Sequence, residues 1–442
     1  MDLTKGDIGT LVRKIAIPSS IGFLFNTLFN VVDNIYTGYL GPEALAGLAL
    51  SFPVFFILIS LGSGVGTGVT AIISNYIGEG NTEKAREVAR DALSLGIIFA
   101  MVITVLGLNL DRLLMELMGG RGMALEYGLR YTRVIFLGSI FFVFNMVMNG
   151  ILSAQGDTKS YRNYLVIGFF LNVIMDPISI LVLGMTTEGV AIATVVVQMI
   201  GNIYLFRKVK ESRIIKGTAF GLAKPHIKNY MEILSQGVPA SFNMMTIALG
   251  VFVINYYVVK VGGEKAVAAF GVAMRIEQLA LLPAIGLNIA ALSITGQNYG
   301  AGRLDRVEEV YKKTMKYGLV IMTTAMFMIL PLSKYLFLIF TRDRDVIGYG
   351  ISYFRVETLV FNSYILLNIS VSVLQGLKRP KFPIVIGMYR QFILPVIIFP
   401  IFINITGSIY GIWWGIFVVN WSAAFMGVIY VKRVYTRLCK TT

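Results

Sequence analysis

The sequence predicts an all-α integral membrane protein: twelve transmembrane helices in two parallel six-helix lobes related by a pseudo-twofold axis along the membrane normal. Three observations carry this. Of 442 residues, 56% are hydrophobic and only 14% charged, against roughly 25% charged in soluble domains. Twelve apolar segments, each long enough to cross a hydrocarbon core, follow one another at 15–38, 46–77, 90–110, 124–153, 161–184, 188–206, 232–259, 266–299, 315–338, 346–376, 382–404 and 409–432. The chain also repeats itself. SNYIGEGNTEKA at 74–85 returns as GQNYGAGRLDRV at 296–307, and YGLRYTRV at 127–134 returns as YGISYFRV at 349–356, both 222 residues on. Six spans is an even number, so the halves share one orientation, the parallel-repeat plan of several transporters. The expected domains are an N-lobe at 1–206, a charged cytoplasmic linker at 207–230 and a C-lobe at 231–442.

The first span, from Ile15 to Gly41, carries Asn26, Asn30 and Asp33, which fall within about 60° of one another on a helix. A carboxylate inside a membrane is costly to insert and marks a pathway or partner by default. Pro18 lies one to two turns in, where its missing N–H and ring clash predict a hinge. The second span contains LGSGVGTGV at 61–69. It lacks the Lys-Ser/Thr of a phosphate loop, so Gly62, Gly64, Gly66 and Gly68 are expected to permit close helix packing or bending. Further polar pairs spaced i,i+4 are Asn145 and Asn149 on the fourth span, Asn172 and Asp176 on the fifth (NVIMDP, with Pro177 next), and Thr194 and Gln198 on the sixth.

Pointed at one another, these stripes would build a wet, acidic cavity for a proton or Na⁺ and, in competition, an organic cation. Oxygen-only ligands suit a hard cation, and two carboxylates at low dielectric readily hold a proton between them. The plainer alternative for any one Asn or Thr is hydrogen bonding between helices. The eighth span adds Arg275 and Glu277, which either neutralise each other, serve structure through separate partners, or couple an ion. The repeat supplies an internal control. Asp33 maps onto Asn255 or Ile254, Asp176 onto Val396, Ile397 or Ile398, and Glu277 onto Phe55, whereas Arg133 returns as Arg355. The shared scaffold therefore does not require the three acids, while the paired arginines fit a structural or interfacial role.

Several function classes fall away. Cys439 is the one cysteine, so neither an intrachain disulfide nor a thiolate metal site is expected. His226, the one histidine, lies in a basic loop and is expected to be solvated. Neither HExxH nor GxxxxGK[ST] occurs, no cleavable signal peptide is evident, and no cofactor is expected. An intramembrane aspartyl protease typically shows Gly-x-Gly-Asp, but the acids here sit in NVVDNI and VIMDPI. No enzyme activity is expected, and nothing resembles a selectivity filter. The net charge of +15 is topological: with the N-terminus inside, 27 Lys and Arg fall on inner stretches and 7 on outer loops. That bias places both termini in the cytoplasm of a multi-pass cell-membrane protein. It attracts anionic lipid headgroups and argues against nucleic acid as a partner.

The combination of DNIYTGYLGPEALAG, SNYIGEG with its echo GQNYGAG, LSAQGDT and NVIMDPISI resembles the multidrug and toxic compound extrusion (MATE) family over essentially the whole chain. Its first half is similar to the DinF-like branch. The resemblance implies a V-shaped pair of six-helix lobes, working as a monomer, that exports cationic or amphipathic drugs by H⁺ or Na⁺ antiport and rocker-type alternating access. It further implies that Asp33, Asn172, Asp176 and Thr194 match the N-lobe cation site, with Tyr131 and Asn149 beside it. Asn26 and Asn145 match substrate-cavity positions, joined by Asn30 and Gln198, and Pro18 matches the first-span bend. Glu277 resembles a second-lobe acid that other members use for Na⁺, but the tenth span offers only Glu357 as a companion. The rival expectation is a lipid or lipid-linked-oligosaccharide flippase of a related superfamily, which a basic cavity would favour.

Overall fold

The computed structural model describes residues 1–217 and 225–441, so 218–224 of the expected linker lie outside the described residues. Each of the twelve apolar segments is helical. The helices, in order, are α1 (Ile8–Tyr39), α2 (Pro42–Gly78), α3 (Thr82–Leu117), α4 (Gly122–Leu137), α5 (Ser139–Ala154), α6 (Lys159–Pro177), α7 (Thr187–Glu211), α8 (Ile227–Gly300), α9 (Leu304–Leu338), α10 (Arg344–Gly376), α11 (Lys381–Met388), α12 (Leu394–Thr406) and α13 (Tyr410–Thr441). Ten helical stretches are long and apolar enough to span a membrane, and the bent pair α4–α5 makes an eleventh. At 74 residues α8 is two spans joined end to end, since about 20 residues suffice for one. The join is Gly263, at φ 68° and ψ −166°, a backbone region essentially reserved for glycine. Twelve spans result.

The fourth span departs from the single helix expected at 124–153: α4 and α5 meet at 52°. A break in the helical ladder frees carbonyls that must find partners inside a membrane. Here the Thr104 hydroxyl of α3 donates to Phe136 O at 2.8 Å, and the corner is tied to the same helix by Ser139 Oγ, which donates to Ala100 O at 3.1 Å. Gly138 at the corner lets the side chain of Val195 come close. The fifth span of each half is also irregular, with wide π-turns at Ile178–Val182 after α6 and Tyr389–Ile393 after α11.

Packing divides the chain into two units, Met1–Leu3 with Ile21–Phe242, and Thr4–Ser20 with Asn243–Thr442. These limits differ from 1–206 and 231–442 at two helices: the start of α1 groups with the second unit and the start of α8 with the first. Both divisions follow a proline closely, Pro18 in α1 and Pro239 in α8, which are 221 residues apart in the repeat.

In the first unit a continuous core runs through Leu58, Ile72, Phe142, Ile151 and Leu205. The glycine-rich stretch of α2 packs it on two faces. A Cβ on Gly66 would lie 2.7 Å from Met146 O, and one on Gly62 2.6 Å from Met146 Sδ. On the other face a Cβ on Gly64 would lie 2.6 Å from Gly237 O, and one on Gly68 2.6 Å from Ile233 O. Glycines two apart alternate between α5 and the start of α8, which is the close packing expected of small residues.

In the second unit the start of α1 is tied by charge and fit. Lys313 Nζ donates to Asp7 Oδ1 at 2.7 Å and Arg303 to Thr4 O at 2.9 Å. The Lys313 ammonium holds the Asp7 carboxyl well below the usual carboxylate range. Phe270, Tyr353 and Trp413 centre one core there, and Phe361, Ile365 and Leu374 another.

Gly66→Ala is expected to lower the thermal unfolding temperature of the detergent-purified protein, by the equivalent of about 1–3 kcal/mol for overpacking. Its neighbour is backbone. Gly62→Ala, whose neighbour is the movable Met146 thioether, should cost distinctly less. Equal losses would show that the α2–α5 contact is not set by backbone approach.

Candidate functional site

Asp33 leaves the polar stripe of α1 and turns into the first unit. It is 5% exposed, Asn172 and Asp176 0%, Thr194 3% and Tyr131 5%. Asn172 Nδ2 donates to Asp33 Oδ1 at 2.9 Å. Asp176 and Thr194 lie against the same carboxyl, and Tyr131 is within electrostatic reach of both acids. Helices α1, α4, α6 and α7 thus bring together five of the residues singled out in the sequence. Asp176 is set at the end of α6 by its neighbour Pro177, whose missing N–H interrupts the ladder where the π-turn begins.

The cluster is under-satisfied. Both carboxylate oxygens of Asp176 and Oδ1 of Asn172 are buried without a hydrogen-bond partner. Each such group costs about 1–3 kcal/mol. No Lys or Arg forms an ion pair with either acid among the described residues. The side chains that meet here offer only carboxylate, amide and hydroxyl groups.

Other expected members lie elsewhere. Asn145 is 2% exposed and donates to Gln198 Oε1 at 2.7 Å and to Tyr164 Oη at 3.2 Å. Tyr164 in turn donates to Gln198 Oε1 at 2.6 Å. Asn145 and Gln198 therefore tie α5, α6 and α7 together, while Asn145 Oδ1 stays buried without a hydrogen-bond partner. Asn149 accepts from Ser153 one turn along α5, at 3.1 Å. Asn26 and Asn30 are exposed, Asn30 donating to Asn26 O at 3.2 Å. Around Pro18, Ser19 and Ser20 return their hydroxyls to Ile15 O and Ala16 O at 2.8 and 2.9 Å, a pattern that loosens and bends helices.

In the second unit Glu277 is 6% exposed while Arg275 is exposed. Residues two apart on a helix face apart, so Arg275 does not neutralise Glu277. Its place is taken by groups from other helices. Tyr353 donates to Glu277 Oε2 and Tyr364 to Glu357 Oε1, both at 2.8 Å. Arg390, in the π-turn, lies within electrostatic reach of both acids and against the Tyr364 ring. Sequence reasoning passed over Tyr164, Tyr353, Tyr364 and Arg390. The π-turn shared by both fifth spans marks Arg390 and the neighbourhood of Asp176 alike, but it is invisible in the sequence.

Comparison with known proteins decides the family. A MatE family profile matches residues 18–178 and 239–401, one stretch in each repeat. The chain belongs to the MATE family. It is 26% identical over 397 residues to an FAD transporter of Shewanella oneidensis, covering 89% of this chain and 87% of that protein. It is 23% identical over 344 residues to the multidrug export protein MepA of Staphylococcus aureus, covering 78% and 76%. A solved MOP superfamily transporter from Pyrococcus furiosus superposes with a TM-score of 0.93 at 30% identity, covering 99% of this chain and 98% of that one. The relatives are transporters, and this MATE chain is a multi-pass membrane transporter by the same evidence.

Asp176→Asn is expected to fold and to melt at a higher temperature than wild type, by the equivalent of about 1–3 kcal/mol, since the amide replaces a buried carboxyl that faces the Asp33 carboxyl and can donate to it. A lower melting temperature would show that the Asp176 carboxylate serves the fold.

Proposed function

We propose that this MATE-family protein is a cation-coupled antiporter that exports amphipathic organic compounds, with Asp33 and Asp176 binding the coupling H⁺ or Na⁺. The observation that carries the proposal is the buried, oxygen-only cluster whose Asp176 oxygens have no partner. Filling it with a proton or Na⁺ removes the charge imbalance and changes which packing of α1 is favoured. Differential stabilisation of that kind is all that coupling requires. Pro18, with the Ser19 and Ser20 back-bonds beside it, is the hinge at which α1 responds. The two six-helix halves then alternate access, with both termini cytoplasmic.

The acids couple; they do not select the drug. Asp176 and Asn172 are wholly buried in the first unit, so they give no reason to restrict the cargo to cations, and exposed Asn26 and Asn30 are the better candidates for contact with it. A second reading of the cargo is therefore a flavin-type dinucleotide, favoured by the FAD transporter relative that spans 89% of this chain. Glu277 and Glu357 are candidates for a second ion site, with Arg390 close enough to substitute for the ion's charge.

The test is efflux from proteoliposomes driven by an imposed pH or Na⁺ gradient, with a fluorescent organic cation and FAD as alternative cargoes. One gradient should drive export in wild type, and Asp33→Asn should reduce the driven rate at least tenfold. Driven transport that survives the substitution would move coupling to Glu277. Lipid flipping with neither cargo moved would favour the flippase.

A further inference from the structure

We propose that Glu87, Asp91, His226 and Asn229 form a site for a divalent transition ion of the zinc type, which pins the segment joining the two repeats to α3. The four residues come as two short pairs. Glu87 and Asp91 lie i,i+4 on one face of α3. His226 and Asn229 open α8, where His226 O accepts from Asn229 N at 2.9 Å. The solvation expected for His226 is only half right: its side chain is 55% exposed, yet Nδ1 lies 3.3 Å from Glu87 Oε1 and 3.2 Å from Asp91 Oδ2. The carboxylate oxygens and the imidazole nitrogen all lie within 4.8 Å of one another.

Those separations are informative. An ion holding ligands tetrahedrally at about 2.0–2.1 Å sets them about 3.3 Å apart, the length of both His226 edges. One imidazole nitrogen and two carboxylates match the borderline ligand preference of zinc-type ions, and their charge balances a dication.

A second observation comes from Asn229. It is 1% exposed, and its Nδ2 points into the cluster, 2.8 Å from Glu87 Oε1 and 2.6 Å from Asp91 Oδ2. Its Oδ1 is buried with no partner. Rotating the amide brings Oδ1 to the cluster as a fourth ligand and carries Nδ2 to the side where Oδ1 now lacks a partner, with the two short edges opening by a few tenths of an ångström. Lys84, 2.8 Å from Glu87 Oε1, competes for one acid and is exposed enough to swing away. The competing account is a cluster held by hydrogen bonds alone, with protonated His226 as counter-ion.

The experiment uses the full chain purified without a histidine tag, stripped with a chelator, and titrated with Zn²⁺ against a chromophoric chelator and with Co²⁺ by visible ligand-field absorption. The expected result is one site per chain that Cys439→Ser leaves intact, His226→Ala weakens at least tenfold, and Asp91→Asn weakens likewise. His226 is exposed, so His226→Ala should unfold at the wild-type temperature in chelator, and Zn²⁺ should raise that temperature in wild type alone. Absence of saturable binding, or binding undiminished by His226→Ala, overturns the proposal in favour of the counter-ion account. Transport assays do not enter either outcome, so this test and that of the antiport proposal fail separately.

Discussion

The constraint on which the molecule turns is a pair of carboxylates buried in one unit, with which no Lys or Arg among the described residues forms an ion pair. Asp33 accepts from Asn172; Asp176 lies beside both, its own two oxygens without a hydrogen-bond partner. A buried acid in that position works against stability, because its desolvation is offset only when a proton or ion is present. Two of the chain's irregularities lie in the same unit on helices that carry the cluster: a π-turn starting two residues after Asp176, where Pro177 interrupts α6, and the break at Gly138 that ends α4, the helix of Tyr131. Departures from local regularity are expected at functional sites, which supports the proposal that this cluster binds the coupling ion.

The repeat sharpens that argument. Duplicated halves supply a common scaffold, and the scaffold accounts for the parts that return, such as the glycine-bearing turns and YGxxYxRV. What does not return is the chemistry. The first unit has two acids with amide and hydroxyl neighbours, whereas the second buries Glu277 and Glu357 with tyrosine donors and Arg390 nearby. A guanidinium lies near the acids of one half, and among the described residues none is paired with those of the other, which supports the proposal that the first half takes the mobile charge.

Much of this was legible before any coordinates. Helix number followed from apolar run length, because a membrane forces backbone groups to pair within each segment. The alliance of Asp33, Asn172, Asp176 and Thr194 was implied by i,i+4 polar spacing on otherwise apolar helices together with the family resemblance. Other features could not be read. The kink between α4 and α5 depends on Thr104, more than thirty residues away, accepting the task of capping Phe136. Asn145 has the same spacing signature as Asn172, but only the packing of Tyr164 and Gln198 makes it a tie between helices. Arg275 sits near Glu277 in sequence and on another face in space, while the true neighbours of Glu277 come from α10 and the π-turn after α11. Spacing identifies a polar face; it does not say which helix that face will meet.

The central claim is that the Asp33–Asp176 cluster exchanges its ion when cargo binds. It is tested most directly by counting protons, or Na⁺ displaced in a Na⁺-loaded sample, released into weakly buffered detergent solution on addition of a transported compound. The account predicts ion release by wild type and none by the Asp33→Asn, Asp176→Asn double variant, with cargo binding retained by both. Equal release from the double variant would contradict it.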